Sequence, residues 1–194
     1  VKGVLGLDKE GHRIPPNQRV TSKFPVLHVG SVPKFDSKSW DFVVEGLVAN
    51  TVRLGFDEFL KLPKVVRVSD FHCVTGWSRL DNRWEGVLFK TVADLVKPLP
   101  DAMYVTVVCE KGFTTSLPLA DLLDDDVLLA YGFEGKSLEP AHGGPLRLVV
   151  PKKYAYKSAK WVRKLRFTKE QELGFWEKRG YSNTADPWKE ERYA

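Results

Sequence analysis

The chain is poor in the residues that staple or metallate small folds. Its 194 residues include two cysteines, one methionine and four histidines. Cys73 and Cys109 belong to no Cys-x-x-Cys pair, so there is no disulfide framework, and free thiols in a reducing compartment are expected. His12, His28, His72 and His142 are too scattered to complete a four-ligand zinc site with those thiols. No apolar run approaches the ~18 residues that cross a bilayer, so no membrane insertion is expected. The opening Val1-Lys2-Gly3-Val4-Leu5-Gly6-Leu7-Asp8 turns polar too soon for a secretory signal. The expectation is a cytoplasmic protein, or a periplasmic one if an upstream segment was removed from a chain that here lacks an initiator Met.

What is present is ordinary for a globular protein: 43% hydrophobic and 28% charged residues exclude wholesale disorder. The length suits one domain or two small ones and is enough to bury a sizeable core. The net charge of +5 permits an anionic ligand. With no nucleic-acid-binding motif beside it, this charge does not point to nucleic acid as a partner.

Residues 1–35 carry Pro15-Pro16, Pro25 and Pro33 and read as an irregular arm, either a loose tail or a segment packed on the domain. The remaining 36–194 read as one domain. Strands are expected at Trp40–Leu47, with Val52–Leu54 as a hairpin partner, and at Val65–Val68 running into Cys73. Further strands are expected at Met103–Cys109, Phe113–Leu117, Val127–Tyr131, Leu146–Val150 and Trp161–Phe167. Short helices are expected at Phe56–Leu62, at Thr91–Val96 with Thr91 as cap and Pro98 as stop, and at Leu119–Leu123. Strands and helices interleave without βαβ spacing, which predicts an α+β fold: a single compact domain of mixed sheets with short helices. The aromatic tail, with Trp176, Tyr181, Trp188 and Tyr193, is expected to pack back onto it.

Three stretches carry chemistry. Phe71-His72-Cys73-Val74-Thr75-Gly76-Trp77-Ser78 puts a thiol where a strand ends in a tight loop. That thiol is either reactive, with His72 beside it, or a small buried hydrophobe. His142-Gly143-Gly144-Pro145-Leu146-Arg147 either lets backbone approach an anion or simply turns into a strand. In Tyr154-Ala155-Tyr156-Lys157-Ser158-Ala159-Lys160-Trp161, Lys157, Ser158 and Lys160 either bind phosphate or form a solvated face.

Taken in order, these stretches resemble the molybdopterin-binding domain of the sulfite-oxidase family, over about Trp40 to Trp188. The Cys-Val-x-x-Trp-Ser pattern is closer to the protein-methionine-sulfoxide reductase branch than to animal sulfite oxidase. The resemblance implies a sulfite-oxidase-type fold and a molybdenum–molybdopterin cofactor. It implies Cys73 as the protein's ligand to the metal and Tyr181 as the substrate-side tyrosine. It implies His28, His72, His142, Arg147, Lys157, Ser158 and Lys160 as residues that hold the cofactor and its phosphate. Where sulfite oxidases carry oxyanion-gripping arginines, this chain has Leu27 and the Trp77-Ser78 neighbourhood, with Arg79 nearby. The implied activity is therefore oxygen-atom transfer to or from a small-molecule substrate, as S-oxide or N-oxide reduction. The alternatives are sulfite oxidation, a non-catalytic pterin- or anion-binding module, and a thiol enzyme built on Cys73 and a histidine. With no haem or iron–sulfur ligand set in the sequence, a separate redox partner protein is implied, and the chain is expected to be a monomer.

Overall fold

The computed structural model describes residues 13–194. The first twelve residues of the expected arm, His12 included, lie outside the described residues.

Among the described residues eleven strands form two mixed sheets: β1 (Arg19–Val20), β2 (Asp41–Gly46), β3 (Val52–Gly55), β4 (Lys64–Cys73), β5 (Trp77–Leu88), β6 (Tyr104–Cys109), β7 (Thr114–Pro118), β8 (Leu128–Phe133), β9 (Lys136–Ser137), β10 (Arg147–Val149) and β11 (Val162–Thr168). Three short helices join them: α1 (Phe56–Phe59), α2 (Phe89–Val96) and α3 (Leu119–Leu122).

One sheet runs β3-β2-β11-β6-β7, with β2 and β11 parallel and the other neighbours antiparallel. The second is organised around the long β5. The whole of β4 pairs along one of its edges. On the other edge β1 pairs with Trp77 and Ser78, and β8 pairs with Trp84 to Leu88. Gly86 sits where β5 and β8 approach most closely. A Cβ there would stand 2.2 Å from the Leu129 carbonyl oxygen, so no larger residue fits.

The main core gathers Phe42, Phe59, Phe89, Val107, Leu117, Leu129, Leu148, Leu165 and Phe167. These are large apolar and β-branched positions of the strands, with Phe59 of α1 and Phe89 of α2, removed from water together. A smaller cluster of Phe71, Trp84, Leu128 and Val149 takes in Phe24 from the arm. The arm is fastened further upstream as well: Arg13 donates to both carboxylate oxygens of buried Asp70 at 2.6 and 2.7 Å. The tail lies on the domain through Tyr154 N–H to the Ala185 carbonyl at 2.8 Å and the Tyr156 hydroxyl to the Ser182 carbonyl at 2.6 Å. Among the described residues no helix is long and apolar enough to cross a membrane.

Two expectations are corrected. The first helix closes at Phe59 rather than Leu62. The second begins at Phe89, so Thr91 lies inside it; Leu88 is the cap residue, with no side-chain cap bond, and Lys97 ends it in a left-handed conformation. The polar run Trp77–Arg83, which the sequence left unassigned, is the first half of β5. Its Arg, Asp and Asn residues disfavour strand, but specific partners satisfy them: Asn82 Nδ2 donates to the Ser69 carbonyl at 3.0 Å.

Candidate functional site

The chain from β4 to β5 reverses over Val74 to Gly76. Gly76 has φ +95, and its N–H donates to the Cys73 carbonyl at 3.0 Å. This turn leaves Cys73 as the last residue of β4, opposite Trp77. The Gln18 side chain also donates to the Cys73 carbonyl at 3.1 Å, which ties the arm to the turn.

Cys73 opens onto a cavity of about 410 Å³. Leu27 and His28 of the arm form one part of its wall, and Ala155, Tyr156 and Ser158 to Trp161 form another. Phe113, Trp176 and Tyr181 supply an aromatic wall. The Tyr181 ring packs edge-on to Trp176 at 5.1 Å and to Tyr156 at 5.4 Å.

Arg147 and Lys160 share the same cavity. Arg147 is 2% exposed, with Nη1 donating to the His142 carbonyl at 2.7 Å and Nη2 to the Ser158 carbonyl at 2.8 Å. Its guanidinium lies over Phe71 and Trp84 at 5.1 and 5.4 Å. Lys160 Nζ donates to the Ala141 carbonyl at 2.7 Å. Among the described residues no carboxylate pairs with either. Burial alone draws the Arg147 guanidinium down to about 9. Burial, followed by the charge of Arg147, brings the Lys160 amine down to about 7. Two desolvated like charges are costly as they stand, and a phosphate placed between them offsets that cost. Gly143, at φ +112, permits the packing: a Cβ there would lie 3.0 Å from Arg147 Cβ and 3.1 Å from Lys160 Cβ.

The structure thus brings Cys73, His28, Arg147, Ser158, Lys160 and Tyr181 to one cavity. His142 stands just behind it. Its ring stacks on Phe24 at 4.3 Å, and its buried Nδ1 has no hydrogen-bond partner among the described residues. His72 is 1% exposed, off the cavity, with Nδ1 at 2.8 Å from Ser78 Oγ and its ring edge-on to Trp188. Burial lowers His72 to about 4, so its imidazole is neutral near pH 7. Lys157, expected to close on a phosphate, does not line the cavity either. It is fully buried in an ion pair with Glu177.

Arg79, Arg83 and Arg179, candidates for gripping an oxyanion, all lie off the wall. Arg79 lies over Phe133 at 5.0 Å and pairs with Glu134. Arg179 lies over Phe175 at 3.6 Å. Sequence reasoning missed Lys111, a third cation on the wall whose amine bonds Ser31 Oγ, and Thr75, whose hydroxyl faces the thiol. The signal for Thr75 was its place two residues past Cys73 in a turn ending at Gly76.

Among the described residues, no three His, Cys, Asp or Glu side chains cluster to hold a metal ion between them. A metal beside Cys73 must therefore bring most of its own ligands.

Comparison with known proteins agrees with this geometry. The family model described as the oxidoreductase molybdopterin binding domain matches residues 29–176. The chain is 48% identical over 187 residues to an uncharacterized oxidoreductase, YuiH, of Bacillus subtilis (strain 168), covering 96% of this chain and 94% of that one. It is 30% identical over 166 residues to the protein-methionine-sulfoxide reductase catalytic subunit MsrP of Campylobacter jejuni, covering 77% of this chain and 56% of MsrP. The sulfane dehydrogenase SoxCD from Paracoccus pantotrophus superposes with a TM-score of 0.66 at 20% identity, over 72% of this chain and 41% of that one. At that identity the likeness is one of fold, and it identifies the two sheets as a sulfite-oxidase-type arrangement.

Proposed function

The chain belongs to the family of oxidoreductases with a molybdopterin-binding domain, and from that premise we propose that it reduces a neutral S-oxide or N-oxide by removing its oxygen atom. It is a molybdopterin-dependent oxidoreductase, and the observation that carries the finer reading is the shared cavity of Cys73, Arg147 and Lys160.

The residues fit the cofactor. A phosphate meets buried Arg147 and half-buried Lys160, neither with a carboxylate partner among the described residues, and a metal that arrives with pterin sulfurs needs only one protein ligand. When bound, the cofactor supplies a molybdenum centre that exchanges an oxygen atom with substrate as it cycles by two electrons. The protein supplies position and electrostatics. The Cys73 thiolate is the single bond from chain to metal. Arg147 and Lys160 clamp the phosphate, with Ser158 and His28 on the same wall and His142 behind it. His72 backs the Cys73 loop from the interior, and Lys157 acts through Glu177.

On the substrate side Tyr181 donates one hydrogen bond to the substrate oxygen. Phe113, Trp176 and Tyr181 pack against the substituents of the sulfur, a contact that sulfur and aromatic rings favour. A sulfite dianion sheds strong hydration on entry and needs fixed guanidinium groups in its place. Leu27 offers none, and Arg79 is committed to Phe133 and Glu134. Some relatives are named as subunits of a methionine-sulfoxide reductase, which supports the delivery of electrons by a separate redox protein.

Steady-state assays of cofactor-loaded protein with sulfite, S-oxides and N-oxides test the reading. Turnover of a neutral oxide with little sulfite oxidation supports it. Efficient sulfite oxidation with the oxides inert overturns it.

A further inference from the structure

The Cys73 Sγ and Thr75 Oγ1 atoms stand 3.1 Å apart, and both residues face the cavity. The contact is built by the backbone. Gly76, at φ +95, closes the turn with its N–H on the Cys73 carbonyl, which brings residue 75 back over the end of β4. Threonine's branched Cβ stiffens its first side-chain torsion, so the hydroxyl stays where the turn places it. Gln18 and Gly76 satisfy the Cys73 carbonyl, while Thr75 addresses the sulfur itself.

In the free thiol either atom can be the donor. A metal-bound thiolate has no proton, so the hydroxyl must donate. We propose that Thr75 is a positioning residue for the metal ligand, whose hydrogen bond to the Cys73 thiolate raises the reduction potential of the metal held there. The inference rests on Cys73 being that ligand. Adding an electron to the metal–thiolate unit places more negative charge on sulfur and strengthens a hydrogen bond to it, so a donor at the ligand favours the reduced state. Phe71, Val74 and Trp77 on the adjoining wall keep the local dielectric low, which enlarges the effect.

The test compares cofactor-loaded wild type with Thr75→Val, which keeps the shape and removes the hydroxyl, with Thr75→Ala as a second hydroxyl-free variant. Thr75→Ser keeps the hydroxyl. Molybdenum content is measured first. Dithionite titration then gives the potential, and absorbance gives the thiolate-to-metal band. The hydroxyl-free variants are expected to hold molybdenum at the wild-type level, with the band moved to longer wavelength. Their one-electron equilibrium constant is expected to fall about tenfold, a potential lower by about 59 mV. Thr75→Ser is expected to restore most of both.

An unshifted potential and band in a loaded hydroxyl-free variant overturns the proposal. So does a shift that serine fails to restore, because shape would then be the cause. Loss of molybdenum from all three variants also overturns it, by assigning Thr75 to cofactor retention. Failure of the Cys73 reading is separate: a Cys73→Ser variant would then keep the wild-type band whatever stands at position 75.

Discussion

Lys157 Nζ lies 2.5 Å from Glu177 Oε1, and the two side chains are 0% and 1% exposed. Lys157 also donates to the Ser116 carbonyl at 2.9 Å, and Thr115 Oγ1 donates to Glu177 at 2.7 Å. The pair therefore joins β7 and the turn at Ala155–Lys157 to the tail that carries Trp176 and Tyr181. Removing one partner leaves an uncompensated buried charge. Lys157→Met or Glu177→Gln is expected to cost about 3–5 kcal/mol, and replacing both with apolar residues is expected to recover most of it. Chemical denaturation measures this. A Lys157→Met protein as stable as wild type would show that the pair does not anchor the tail.

Arg147→Ala and Lys160→Ala are each expected to weaken cofactor retention roughly 10- to 100-fold, the loss of one charged hydrogen bond to a phosphate. Molybdenum and pterin content after dialysis reads the effect. Wild-type content in both variants would place the phosphate elsewhere.

Lys160 also predicts a pH dependence. Its amine falls from the ordinary 10.5 to about 7 in the fold. Between those values the unfolded chain holds a proton on Lys160 that the folded chain does not. The Lys160 contribution to the stability of cofactor-free protein therefore rises with pH across that window. Comparing denaturation of wild type and Lys160→Met from pH 7 to pH 10 isolates this slope. A bound phosphate requires the protonated amine, so cofactor retention runs the other way and weakens as pH rises. A stability difference that is flat with pH would contradict the assignment.

The two thiols are expected to behave differently. Cys109 is packed in the main core, and burial pushes its thiol far above the ordinary range. Cys73 borders the cavity. In cofactor-free native protein an alkylating reagent is expected to modify Cys73 and spare Cys109 until the protein unfolds. Mass spectrometry of the labelled peptides decides it, and rapid native labelling of Cys109 would contradict the packing described.

The sequence disclosed the parts of the molecule that depend on local pattern. The run Tyr104–Cys109 is rich in β-branched residues and Asp41–Gly46 carries Phe-Val-Val at its centre, and both are strands. The turn that presents Cys73 was legible because a strand pattern stops three residues before Gly76. The first half of β5 was not legible, because Ser78 and Asn82 become acceptable in a strand only through partners at His72 and Ser69. Lys157 and Lys160 look alike in one basic run. They part only because Glu177, 20 residues beyond Lys157, folds back onto one of them. The resemblance supplied the gathering of Cys73, Arg147, Lys160 and Tyr181, since their spacing along the chain carries no sign that they meet. The place of Thr75 in the turn was legible, but its bearing on the sulfur came only from the 3.1 Å contact.

The central claim is that Cys73 is the chain's bond to the metal. Molybdenum-edge X-ray absorption on cofactor-loaded wild type and Cys73→Ser tests it most directly, because it counts the sulfur neighbours of the metal. The variant is expected to lose one sulfur neighbour and the thiolate-to-metal band while the pterin sulfurs and the fold persist. An unchanged sulfur shell in Cys73→Ser would contradict it.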